Sequence, residues 1–169
     1  MRIQVKPDEG HRGHLHFMGK TYTCAIGKTG VTENKCEGDH ASPLGVFALR
    51  EIYYRADKVD APDSLLPCKI ISLNDGWCDD PAHKDYNRKI SLPFDTSHET
   101  LWREDDLYDI IVILGHNDNP PIPGKGSCIF MHVAKEGFEG TEGCVALKKS
   151  DLTDLLRSVS IDTLIDISL

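Results

Sequence analysis

Short runs rich in β-branched and aromatic residues recur along the chain, each bounded by glycine, proline, asparagine or aspartate. Such runs are typical of strands in an all-β sandwich or barrel, whereas strands that alternate with helices indicate a parallel α/β sheet. The pattern predicts strands at Leu15–Phe17, Thr21–Ile26, Val46–Tyr53, Lys69–Leu73, Asp109–Gly115, Cys128–Val133 and Thr163–Leu169. We therefore expect a mainly β fold, a sandwich or barrel with one or two short helices.

Two segments predict those helices. Apolar residues recur at helical spacing in Asp151–Val159, and Ser150 is placed to cap its first turn. Ser97–Trp102 predicts a second, shorter helix with Glu99 in its first turn. The polar stretch 74–87 has no periodicity, which is typical of a functional loop or a lid.

Length and charge limit the class of protein. A chain of 169 residues is long enough for one domain, here residues 1–169, and short for two. Its net charge of −8 and the absence of lysine or arginine runs argue against binding to nucleic acid. No apolar stretch approaches the roughly 20 residues that span a bilayer. The first residues lack the apolar core of an export signal, so we expect a cytoplasmic protein whose six cysteines are reduced.

The segment 124–147 carries the most informative chemistry. A β-rich run ends close to His132, and a glycine-containing connection leads to Gly143 and Cys144. A thiol with a pKa of about 8.5 is mostly protonated at neutral pH, so a nucleophilic cysteine needs a neighbouring base such as imidazole. Gly143 has no Cβ, which allows backbone amides to approach a developing oxyanion.

Two other interpretations of these residues exist. Cys144 and His132 are also compatible with ordinary packing in the core of the protein. Zinc is a second alternative, since Cys128, His132, Cys144 and His116 are all ligand types. However, four residues along one strand separate Cys128 from His132 by about 13 Å, too far for a single ion. We therefore expect no metal.

Two motifs in the expected order identify a family resemblance. His132 precedes Thr141-Glu142-Gly143-Cys144, and Ser42-Pro43-Leu44-Gly45-Val46-Phe47 lies ahead of both. The chain resembles the L,D-transpeptidase catalytic-domain (YkuD-like) family, including its cytoplasmic L,D-carboxypeptidase-type members. Glu142 and Ala146 depart from that pattern, because the family often has histidine at the first position and arginine or asparagine at the second.

The resemblance implies a fold, a substrate and a mechanism. The fold would be the β-sandwich or barrel of the family, and the substrates peptidoglycan stem peptides or soluble muropeptides. Cys144 would form a thioester, His132 would take the thiol proton, and Gly143 would help to bind the oxyanion. No metal or organic cofactor is implied, and carbapenem-like β-lactams are expected inhibitors.

Substrate contacts follow from residues close to these motifs or at the ends of predicted elements. An acidic stem peptide favours cationic and polar partners, and the candidates are Thr141, Glu142, His116, Asn117, Arg103, Arg88 and Tyr86. Tyr86 and Trp77, in the 74–87 stretch, either close over a peptide or pack the loop.

The acyl-enzyme allows two outcomes. Water would make the protein an L,D-carboxypeptidase that removes the terminal D-Ala from tetrapeptides. An amine would make it a transpeptidase that forms 3–3 cross-links or exchanges D-amino acids. The cytoplasmic expectation favours hydrolysis of recycled muropeptides, and a catalytically silent peptide-binding module is a third hypothesis.

Overall fold

The computed structural model describes all 169 residues as fourteen strands, one α-helix and a 3₁₀ turn at Glu136–Phe138. In chain order the elements are β1 (Arg2–Pro7), β2 (Arg12–Phe17), β3 (Lys20–Ala25), β4 (Val31–Thr32), β5 (Ser42–Pro43), β6 (Gly45–Tyr54), β7 (Cys68–Ile70), β8 (Asp75–Cys78), β9 (Lys89–Ser91), β10 (His98–Thr100), β11 (Ile110–Leu114), β12 (Phe130–Val133), β13 (Val145–Leu147), α1 (Lys149–Leu156) and β14 (Leu164–Ile167).

Eight strands close into a barrel. Their order is β11-β12-β13-β3-β2-β1-β14-β6, and β6 pairs back to β11. Strand β7 adds to the edge of β6, a separate three-stranded sheet has the order β10-β8-β9, and β4 pairs with β5. The mainly β fold with one short helix is confirmed. That helix is too short to cross a membrane.

Strands β11 and β12 are buried on both faces. Successive side chains of a strand point to opposite faces. Met131 and Val133 therefore join the large barrel core, which also takes the apolar face of α1. Phe130 joins a second, smaller core between the barrel wall and the three-stranded sheet. Cys144 belongs to this second core, so the region around the candidate nucleophile depends on both sheets.

All seven predicted strand positions contain strand, but the sequence pattern missed β1, whose apolar residues Ile3 and Val5 alternate with polar ones. It also missed the short strands β4, β5, β8, β9 and β10. The helix prediction was wrong in two respects. Helix α1 begins at Lys149 with Lys148 at the cap, so Ser150 lies inside it. Ser97–Trp102 is not a helix, because β10 lies there and pairs with β8.

The polar stretch 74–87 is not a lid. It begins with β8, the central strand of the three-stranded sheet. Trp77 is buried there, with its ring edge-on to Phe130 at 5.2 Å between centroids. The indole Nε1–H donates to Asn87 Oδ1 at 3.0 Å. Trp77 therefore packs the second core and does not close over a peptide.

Candidate active site

Parallel pairing of β12 with β13 brings the predicted nucleophile and base onto one face. Met131 lies opposite Val145, and His132 lies opposite Ala146. Cys144 directly precedes β13 and is two residues from Ala146, so alternation places its side chain on the same face as that of His132. Both residues line a single cleft of about 400 Å³.

The thiol of Cys144 contacts the backbone that leads into β12. Its Sγ lies 3.1 Å from the carbonyl oxygen of Cys128, to which the thiol donates, and 3.4 Å from the amide nitrogen of Phe130, which donates to sulfur. Only 7% of the residue is exposed. Burial raises the pKa of the Cys144 thiol to about 12, so the resting nucleophile is protonated.

The imidazole of His132 has a defined orientation. Its Nδ1 lies 2.8 Å from the carbonyl oxygen of Val133, which fixes Nδ1 as the donor and leaves Nε2 free to accept a proton. Burial lowers the pKa of His132 to about 4, so the ring is neutral at physiological pH. A neutral imidazole and a protonated thiol that line one cleft are suited to general-base catalysis.

The two sequence motifs form one structure around the nucleophile. Thr141 Oγ1 donates to the Cys144 carbonyl at 2.6 Å and accepts the Gly143 amide at 3.1 Å. Ser42 Oγ, fully buried, donates to the Gly143 carbonyl at 2.9 Å and accepts the Gly27 amide at the same distance. The Ser42 motif therefore holds the loop that carries Cys144.

These contacts change the roles predicted for Gly143 and Thr141. Because its amide is bonded to Thr141, Gly143 does not present that N–H to the cleft as an oxyanion donor. Its φ of +135° and the closeness of the Ala41 carbonyl, 2.8 Å from where a Cβ would lie, explain why glycine stands there. Thr141 lines the cleft, but its hydroxyl is used within the nucleophile loop and not left for substrate.

Glu142 lies at the rim of the cleft and is held by two basic side chains. Its carboxylate pairs with Lys28 and with the His40 ring. The Lys28 contact is the main cause that lowers the pKa of Glu142. An ion-paired, charged carboxylate is a poor general base, so Glu142 is not placed to activate water by itself.

Arg103 also lines the cleft, as predicted, and is engaged on its other side. Its guanidinium forms two bonds to Asp105, at 2.8 and 2.6 Å, and lies 5.1 Å from the centre of the Tyr108 ring. The cleft wall also contains three carboxylates that have no ion pair with lysine, arginine or histidine: Glu37, Asp79 and Glu99. The cleft is therefore acidic, contrary to the cationic lining expected from the sequence.

Four predicted substrate contacts lie outside the cleft. Arg88 is exposed in a turn, and Tyr86 is buried behind Glu37, to which its hydroxyl donates. His116 Nε2 lies 2.9 Å from the Lys125 carbonyl, and the side-chain amide of Asn117 donates to the Ile122 and Gly126 carbonyls. His116, Asn117 and Tyr86 are used to shape the surrounding loops, because their polar groups are satisfied within the protein.

Sequence reasoning missed several residues that build the site. Asn87 Oδ1 accepts both the Trp77 indole and the Cys128 amide, at 3.0 and 3.1 Å. It thereby ties the three-stranded sheet to the backbone that contacts the thiol. Tyr108, whose ring lies edge-on to His132 at 5.5 Å, was missed as well. Its position two residues before the buried strand β11 was the available signal.

A buried cysteine and a neutral, oriented histidine on one face of adjacent strands are the groups that a cysteine-nucleophile acyl-transfer enzyme needs. Residues 12–167 match the family model of the L,D-transpeptidase catalytic domain, YkuD. The chain belongs to this family of enzymes, which act on peptidoglycan peptides. No curated protein and no solved structure matches the chain.

Proposed function

We propose that this member of the family is an L,D-carboxypeptidase that removes the terminal D-Ala from peptidoglycan tetrapeptides. The observation that carries the proposal is the placement of Cys144 and His132, both buried, at one cleft. The substrate's scissile carbonyl would lie against Sγ, with the terminal D-Ala as leaving group.

The chemistry follows from the two neutral groups. As Sγ of Cys144 attacks the carbonyl carbon, the thiol proton passes to Nε2 of His132, and a tetrahedral oxyanion forms. The intermediate collapses to a thioester as His132 returns the proton to the departing D-Ala amine. Water then attacks the thioester with His132 as base, which releases the tripeptide and restores the thiol.

Burial of the two groups supports water as the acceptor. A transpeptidase has to bind two stem peptides at the nucleophile, whereas hydrolysis requires one peptide and water. Cys144 and His132 are each only 7% exposed, which favours the smaller acceptor.

Transpeptidation is the second candidate, and one observation favours it. Glu37, Asp79 and Glu99 have no cationic partner at the cleft wall, and carboxylates of this kind attract an ammonium group. An amine acceptor carries such a charge before it reacts. The same carboxylates would equally attract the amine of a diamino acid in the donor peptide, so they do not by themselves select the acceptor.

The proposal includes a cytoplasmic site of action on soluble muropeptides. All six cysteines are free thiols, and Cys128 and Cys144 both line the cleft. A reducing compartment keeps such thiols available, which supports the cytoplasm. Fractionation of cells followed by immunoblotting tests this part, and recovery of the protein only outside the cytoplasm would contradict it.

The deciding experiment is mass spectrometry of products from a disaccharide-tetrapeptide, with and without an isotopically labelled D-amino acid. The proposal expects tripeptide and free D-Ala from the wild-type protein and no turnover by Cys144→Ala. Cross-linked dimer or labelled tetrapeptide as the main product would instead establish the transpeptidase. Binding of the peptide without any product would contradict both.

A further inference from the structure

The segment Leu107–Tyr108 contacts the catalytic histidine region at two points. The Leu107 carbonyl accepts the Val133 amide at 3.1 Å. The Val133 carbonyl in turn accepts Nδ1–H of His132 at 2.8 Å. Leu107 therefore fixes the peptide unit between His132 and Val133. This unit lies next to the Val133 carbonyl, which orients the imidazole.

Tyr108 contacts the imidazole itself. Its ring lies 5.5 Å from that of His132 at an interplanar angle of 70°, an edge-to-face geometry. The tyrosine is buried, and its hydroxyl donates to Glu99 Oε2 at 2.6 Å. Glu99 lies on β10 of the three-stranded sheet, so the second sheet is linked through Tyr108 to the base on the barrel.

We propose that Tyr108, held in place by its hydrogen bond to Glu99, is a positioning residue for His132. The Val133 carbonyl fixes one ring nitrogen, and the Tyr108 ring restricts rotation of the imidazole plane about that bond. Together they direct Nε2 into the cleft that holds Cys144. Neither Tyr108 nor Glu99 has to touch the reacting atoms for this role.

The expected effect comes from geometry. A misplacement of about 1 Å in a catalytic group costs on the order of 100-fold in rate. If the Tyr108 ring is no longer anchored but the Nδ1 bond remains, we expect the imidazole to move by less than about 1 Å. We therefore expect Tyr108→Phe to lose about tenfold in kcat with KM little changed, since Glu99 and the rest of the cleft wall remain.

Three substitutions separate the hydrogen bond from the charge. Tyr108→Phe keeps the ring and removes its anchor, and Glu99→Ala removes the acceptor. Glu99→Gln keeps an acceptor oxygen for the tyrosine while it removes the negative charge. The proposal expects Tyr108→Phe and Glu99→Ala to lose about tenfold in kcat and Glu99→Gln to restore most of it.

Tyr53 provides a matched control. It is a buried tyrosine whose hydroxyl also donates to a glutamate, Glu51, at 2.7 Å, and it does not line the cleft. Tyr53→Phe should lower the free energy of unfolding about as much as Tyr108→Phe but leave kcat unchanged. An equal fall of kcat in both variants would overturn the proposal, as would a Glu99→Gln variant as slow as Glu99→Ala.

A second readout does not depend on the identity of the substrate. Long-range ¹H–¹⁵N spectra of histidine-labelled protein report the tautomer of His132, which is assigned by its absence in His132→Asn. The wild type and both variants should show the Nδ1–H form, because the bond to the Val133 carbonyl remains. Tyr108→Phe alone should shift and broaden the ring signals of His132, because the imidazole plane is no longer restricted. Ring signals of Tyr108→Phe identical to those of the wild type would refute the positioning role. The proposal rests on the Cys144–His132 pair and not on hydrolysis, so this test decides it even where no D-Ala is released.

Discussion

The sulfur of Cys144 lies 3.1 Å from the carbonyl oxygen of Cys128, and the thiol proton is donated to that oxygen. The resting nucleophile is therefore held as a neutral thiol by the backbone that leads into its neighbouring strand. Cys144 and His132 therefore do not rest as a thiolate–imidazolium pair. Attack on substrate must transfer the proton from this site to His132.

Alkylation of the free enzyme should show this protonated state. Because burial raises the pKa of Cys144 to about 12, iodoacetamide should modify it slowly at pH 7, with a rate that still rises above pH 9. The exposed Cys36 should react first and is an internal reference. Peptide mass spectrometry of timed samples measures both rates. Rapid modification of Cys144 below pH 8 would show that the thiolate is already formed.

The pH dependence of kcat/KM should show the lowered pKa of His132. The imidazole must be neutral to accept the thiol proton, and its neutral form predominates above about pH 4 because burial disfavours the charged ring. Activity should therefore persist through pH 5, where a histidine with the ordinary value of about 6.5 would be almost fully protonated. Rates of D-Ala release measured from pH 4 to 8 test this, with circular dichroism at each pH to verify the fold. A half-maximal rate near pH 6.5 would contradict the prediction.

The two cysteines of the cleft should differ completely in function. Cys144→Ala should abolish turnover and the thioester adduct, because it removes the nucleophile. Cys128→Ala should retain most activity, because the oxygen that contacts Cys144 belongs to the Cys128 backbone and not to its side chain. Intact-protein mass spectrometry after brief incubation with substrate, or with a carbapenem, measures the adduct. An adduct that survives in Cys144→Ala and disappears in Cys128→Ala would reverse the assignment.

The sequence predicted most of the barrel because alternation and turn residues are local signals. Strand Gly45–Tyr54 and strand Ile110–Leu114 carry dense β-branched or aromatic runs, and both were found at nearly their observed positions. Motif spacing predicted Cys144 and His132 as a pair, and the structure places both at one cleft. These features are readable within a few residues of chain.

The rest depends on contacts that are distant along the chain. Trp77 and Asn87 lie in a polar stretch with no periodicity, yet they are buried because β8 pairs with β9 and β10 and covers the barrel wall. The same pairing explains why Ser97–Trp102, which was predicted as a helix, contains strand β10. The acidic character of the cleft could not be predicted either, because the ion pairs of Lys28 and Arg103 form only in the folded chain.

The backbone at Gly143 should be essential for both stability and activity. Its φ is +135°, and a Cβ would lie 2.8 Å from the Ala41 carbonyl, so Gly143→Ala adds a steric clash to a backbone strain of about 1–3 kcal/mol. Gly124→Ala is the matched control, because Gly124 also has a positive φ, +78°, but open space around its Cβ position. We expect the control to lose about 1–2 kcal/mol in the free energy of unfolding and to keep its kcat. Gly143→Ala should lose more, and its kcat should fall because any shift of this loop moves Cys144. Urea unfolding and D-Ala release measure the two effects, and equal losses in both variants would show that Gly143 serves only to adopt its backbone angle.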